Sequence, residues 1–191
     1  SAKGMTALMC AVWQEDHVDV ARLLLDRGAD IGIRQASSDW TALTFAAVNG
    51  KERSLALFFE RGAVLDEAAG DWKALMFAVQ YRSRATVRML LEHGANPDVR
   101  DEEQRTPLMR AARNSDAELV AAFLEAGAGV DPVDDEGRSA LHHACAKANV
   151  ANVKTLLEAG ADPDVADASG MTPRDMAEEA GRAKIIAALD A

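Results

Sequence analysis

The leucines Leu8, Leu43, Leu75, Leu108 and Leu141 recur at intervals of 35, 32, 33 and 33 residues. The glycines Gly28, Gly62, Gly94, Gly127 and Gly160 follow at intervals of 34, 32, 33 and 33. This period constrains the chain more than its composition does. A unit of that length cannot bury its own apolar face, so it must stack on its neighbours in a solenoid. Such a stack presents a long surface, which suits binding better than catalysis.

The fourth unit shows how the local structure arises. Thr106 is placed to cap a helix, its hydroxyl accepting from a free amide of the first turn. Pro107 fits the first helical position, where its missing N–H is no loss. Leu108, Ala111 and Ala112 then share one face of a short helix. Asn114-Ser115 breaks it, and a second helix carries Leu119, Val120, Phe123 and Leu124. Gly127 supplies the left-handed residue that ends that helix. The polar stretch from Gly129 to Arg138 reads as a projecting turn.

Helix, turn, helix and projecting hairpin at this period resemble the ankyrin repeat. The residues that carry the resemblance are Thr6-Ala7-Leu8, Thr41-Ala42-Leu43, Thr106-Pro107-Leu108, Ser139-Ala140-Leu141-His142 and Thr172-Pro173, together with Gly28-Ala29-Asp30, Gly94-Ala95-Asn96 and Gly160-Ala161-Asp162. The resemblance covers residues 3 to 189. It implies an all-α ankyrin-repeat solenoid of helix-turn-helix units with projecting β-hairpin turns. We expect one domain over residues 1–191, with repeats at about 1–35, 36–67, 68–100, 101–133 and 134–166 and a cap at 167–191. In that cap Arg174, Asp175, Glu178 and Glu179 give the polar outer face a terminal layer needs. The resemblance also makes His142 the histidine of the helix-one turn, bonded to backbone there, and places His17 at a matching position.

Departures from the pattern carry information. Lys73 stands where the family prefers threonine, so the third unit's first helix should lose its cap. Leu8 to Gly28 spans 20 residues where the other units span 19, which places an extra residue near Trp13–Glu15. Ser1-Ala2-Lys3 leads straight into the first unit. The expectation is an excised piece of a longer protein, or a first layer covered by another domain over Met5, Met9 and Trp13.

Positions required by stacking recur from unit to unit; positions that vary are free to recognise a partner. The residue before the Thr reads Met5, Trp40, Trp72, Arg105, Arg138 and Met171. The pair after the first-helix core reads Trp13-Gln14, Val48-Asn49, Gln80-Tyr81, Arg113-Asn114 and Ala146-Lys147. All three tryptophans and the single tyrosine fall at such variable positions. Trp, Tyr and Arg dominate interface energies because each joins a large area to a polar handle. The family geometry puts these positions on the concave side. The candidate partner-binding residues are therefore Trp13, Trp40, Trp72, Tyr81, Arg105, Arg113 and Arg138, with Phe45 and Phe77 half-buried behind the aromatics. Alanine at Trp40, Trp72 and Tyr81 should then abolish binding with little change in melting. Two alternatives stay open: a hairpin tryptophan can simply pack on the next hairpin, and the arginines can simply pair with the hairpin acids Asp101, Glu102, Glu103, Asp134, Asp135 and Glu136.

Charge and motifs exclude other classes. Net charge is −10, and residues 101–191 carry 9 basic against 18 acidic side chains. Phosphate-backbone binding needs the reverse, so no nucleic acid is expected. No apolar run approaches a membrane span. Cys10 and Cys145 lie in the first and fifth units, too far apart for a bridge, and unpaired thiols suit the cytoplasm. His142 and Cys145 are two ligands where a closed zinc site needs four, and Cys145 has no base beside it. The run Asp131–Gly137 lacks a calcium loop's alternating ligands. No metal, cofactor or enzymatic activity is expected. The expected function is a protein or peptide interaction module; the alternative is a structural or regulatory segment docked on a neighbouring domain.

Overall fold

The computed structural model describes residues 4–65, 71–114 and 116–190, with Asp71 and Trp72 described by their backbone alone. The chain forms two compact units, Ser1–Asn96 and Pro97–Ala191. The first holds α1 (Ala7–Trp13), α2 (Val18–Asp26), α3 (Ala42–Val48), α4 (Glu52–Glu60), α5 (Asp71–Gln80) and α6 (Arg84–Glu92). The second holds α7 (Pro107–Arg113), α8 (Ala117–Glu125), α9 (Ala140–Ala146), α10 (Val150–Glu158), α11 (Pro173–Glu179) and α12 (Ala183–Leu189). Among the described residues there is no strand. The fold is an all-α solenoid of helix-turn-helix repeats.

Within each unit the helices form two rows. In the first, α1, α3 and α5 pack in sequence, and so do α2, α4 and α6; in the second, α7, α9 and α11 form one row and α8, α10 and α12 the other. The core lies between the rows. Leu8, Leu43, Leu75, Leu108 and Leu141 are all buried, as are the small residues Ala11, Ala46, Ala78, Ala111 and Ala144 that let helices approach closely.

Helix starts follow from capping chemistry. The hydroxyls of Thr6, Thr41, Thr106 and Thr172 accept from the amides of Met9, Thr44, Met109 and Asp175 at 3.1–3.3 Å. Lys73 cannot do this. The helix there does not stop at the equivalent position but runs three residues further back, to Asp71. Trp72 therefore lies in the first turn of α5 and not in the preceding loop; its side chain is outside the described residues.

The irregular spacing has two sources. Four residues, Gln14 to His17, join α1 to α2, whereas three join α3 to α4 and α9 to α10. The longer linker is fixed by Lys51 Nζ donating to the Gln14 carbonyl at 2.6 Å and the Arg53 amide donating to Asp16 at 3.1 Å. The second insertion sits in the following loop, which closes from the Gln35 amide to the Trp40 carbonyl. Later loops close one residue sooner, Asp101 to Arg105, Asp134 to Arg138 and Asp167 to Met171.

Candidate functional site

The loops and the first helices place the variable side chains together, with different chemistry in the two units. In the first unit the rings form a ladder. Trp13 and Trp40 each meet Phe45 edge-on, with centroids 5.4 and 5.2 Å apart; Trp40 meets Phe77 at 6.2 Å, and Phe77 stacks on Tyr81 at 6.2 Å. Phe45 is buried, Trp40 and Phe77 are partly buried, and the ends are open: Trp13 is 48% exposed and Tyr81 65%. Trp13 also borders a cleft of about 640 Å³ with Met5, Cys10 and Gln35.

In the second unit the corresponding positions are occupied by ion pairs. Asp101 Oδ1 accepts from the amides of Glu103 and Arg105 at 3.0 and 2.8 Å, closing the loop. Its other oxygen takes Arg105 Nε at 3.0 Å and Arg110 Nη2 at 2.6 Å. One repeat later Asp134 Oδ1 accepts from the amides of Glu136 and Arg138, and Oδ2 lies 2.9 Å from His143 Nε2. Asp167 accepts from the amides of Ser169 and Met171, and Arg138 Nε reaches it at 3.3 Å. All three aspartates are buried. In the first unit Gln35 replaces the aspartate: the Trp40 amide donates to Ser38 Oγ at 3.3 Å, and Ser38 donates to Gln35 Oε1 at 2.6 Å.

The pKa shifts follow from these contacts. Burial alone would raise Asp101, but the Arg105 amide and the Arg110 and Arg105 guanidiniums outweigh it and hold the carboxyl below its ordinary range. The Ser169 hydroxyl, with the amides of Met171 and Ser169, holds Asp167 well below that range. Burial pushes His143 down despite the Asp134 carboxylate.

The expected site residues thus divide. Trp13, Trp40 and Tyr81 come together through Phe45 and Phe77. Arg105, Arg113 and Arg138 line one cleft of about 490 Å³ with His143 and Lys147. Arg105 and Arg138 are paired with acids, Arg105 also with Glu103 at 2.6 Å and Arg138 also with Glu136. The sequence marks Lys147 as a variable position but does not single out His143. The available signal was a shared nine-residue spacing from loop acid to first helix, Asp101 to Arg110 and Asp134 to His143.

Met9 is buried, its sulfur 3.4 Å from the Thr6 amide, so it cannot form an open docking face. Trp40 packs edge-on against Phe45 and Phe77, so it takes part in the fold as well as in the surface. His17 caps no amide with its side chain and is exposed. His142 does bond backbone: Nδ1 accepts from the Ser139 amide at 3.1 Å, leaving Nε2 to donate to the Met171 carbonyl at 3.2 Å. Burial pushes the Cys145 thiol up to about 12, which leaves it inert as a nucleophile. Among the described residues no group of His, Cys, Asp and Glu could hold a metal ion, and no helix is long and apolar enough to cross a membrane.

Comparisons with known proteins agree with this architecture. The profile for three-copy ankyrin repeats matches residues 33–101 and 95–167, and the single ankyrin repeat profile matches residues 3–35. The chain belongs to the ankyrin repeat family. Ankyrin repeats are generally protein–protein interaction modules and typically non-catalytic. A crystal structure of an ankyrin repeat domain from Acinetobacter baumannii AYE is similar, at 28% identity with a TM-score of 0.85, covering 95% of each chain. The comparison with curated proteins finds no match.

Proposed function

We propose that the chain binds a partner protein or peptide on the face lined by its loops and first helices, the expected concave side. Its anchor is the aromatic ladder of the first unit. The observation that carries this reading is Trp13 and Tyr81 standing open at the ends of a ring series whose middle members are buried or partly buried. Rings held from behind lose little further freedom on binding, and they bring large area with a polar tip. The net charge of −10 over the whole chain favours an uncharged or basic partner over an acidic one. We place this activity in the cytoplasm, with no nucleic acid and no cofactor.

A second reading rests on α2, where Val20 is 49% exposed and Leu23 52%. A neighbouring domain of a longer protein could cover that helix face. One experiment separates the two. The unaltered chain, a Trp13→Ser/Tyr81→Ser variant and a Val20→Ser/Leu23→Ser variant are used to capture partners from native lysate. The ladder reading expects capture to survive the α2 changes and fail with the ladder changes, while melting moves by less than about 4 °C. Capture lost only with the α2 variant would transfer the site there.

A further inference from the structure

The second unit contains seven arginines, and six are engaged. Arg100 donates to the carbonyls of Gln104 and Val133 at 3.2 and 2.9 Å. Arg105, Arg110 and Arg138 are held by the loop acids described above, Arg174 by Asp190 at 2.6 Å, and Arg182 by the Cys145 carbonyl. Arg113 differs. It ends α7, is exposed, and among the described residues forms no hydrogen bond or ion pair. Lys147, which follows the last residue of α9 in the next repeat, is exposed, and among the described residues its side chain forms no hydrogen bond or ion pair. Both line the 490 Å³ cleft, with Asp135 and Glu136 on the loop side.

Two free cations facing a cleft in a strongly acidic unit narrow what can enter it. A strongly acidic segment is repelled by the surroundings; a purely basic one meets Arg113 and Lys147. A single carboxylate between cations satisfies both sides, because guanidinium and ammonium donate to it while its neighbours face the loop acids. We propose that this cleft receives an extended partner segment bearing one aspartate or glutamate flanked by lysine or arginine. Arg113 and Lys147 take the carboxylate, and Asp135 and Glu136 face the flanking cations. The inference rests on reading the chain as an interaction module, but it uses none of the ladder residues. Arg105 and Arg138 serve only to hold the loops.

The test is an NMR titration of the whole chain with the blocked pentapeptide Lys-Ala-Glu-Ala-Lys and its glutamine counterpart. The glutamate peptide should shift the Arg113 Nε–H and Lys147 amide resonances saturably. Binding should weaken about tenfold for the glutamine peptide and for the Arg113→Gln/Lys147→Gln variant, as expected for a lost charged hydrogen bond. A Trp13→Ser/Tyr81→Ser variant should respond like the unaltered chain. Equal binding of both peptides overturns the proposal, and so does the absence of any shift at about 5 mM peptide. Shifts confined to the tryptophan indoles overturn it too, while leaving the ladder reading intact. If the double variant changes only the melting temperature, the two cations serve the helix ends alone, and the proposal fails.

Discussion

The two units solve one problem with opposite chemistry. Each must hold a loop in place and fill the space between that loop and the next first helix. The second unit uses a buried aspartate, which caps loop amides with one oxygen and binds Arg110 or His143 with the other. In the first, neutral Gln35 and Ser38 hold the loop, and Phe45 occupies the position of Arg110 and His143. Acid and cation change together to neutral and aromatic. An arginine at a variable position can thus be structural, whereas a tryptophan at the same kind of position can still face a partner.

The comparison can be broken at several points. Asp101→Ala should have the largest effect, destabilising by about 3–5 kcal/mol in urea unfolding, because it strands Arg110 and frees two loop amides. Gln35→Ala should cost only about 1 kcal/mol; equal losses would erase the distinction. Trp40→Ala should cost about 1–3 kcal/mol through its two edge-on ring contacts, and Phe45→Ala more. Gly137→Ala should fall in the same range, since Gly137 has φ +75° and an added Cβ would lie 2.8 Å from the Ala168 amide. Gln104 has φ 59° at the matching place in the previous loop, so Gln104→Gly should be neutral or slightly stabilising.

A smaller effect concerns pH. Burial depresses both His142 and His143, so the unfolded chain takes up protons first. Stability of the second unit should fall as pH drops through about 6.5, the ordinary imidazole value, and level off below the depressed folded value. Replacing His143 by Gln should flatten the midpoint-against-pH curve between pH 7.5 and 5.5; an unchanged slope would show that His143 titrates alike in the folded and unfolded states. The smallest effect belongs to Arg113→Ala, expected within about 0.5 kcal/mol of the unaltered chain. A larger loss would place Arg113 among the structural arginines.

Much of this was legible in the sequence because repeats compare themselves. Five leucines and five glycines in register announced the stack, and the threonines announced the helix starts, since capping is local chemistry. The longer α1–α2 linker could be read from a spacing of 20 against 19. What escaped was set by tertiary contact. That Arg105 and Arg138 are engaged while Arg113 is open depends on buried carboxylates whose orientation no local pattern fixes. Trp40 and Tyr81 read alike, yet one is wedged between phenylalanines and the other open to water. The backward extension of α5 also went unread, because losing a threonine cap removes a stop signal without naming the new start.

Photo-crosslinking reports whether a partner sits on the aromatic ladder. A benzoylphenylalanine replaces Tyr81 in one protein and Leu23 in another, and each is irradiated in native lysate. Position 81 should give a discrete adduct that the unlabelled chain competes away, and position 23 none. An adduct from position 23 alone would contradict the ladder reading and move the interaction to the outer face of α2.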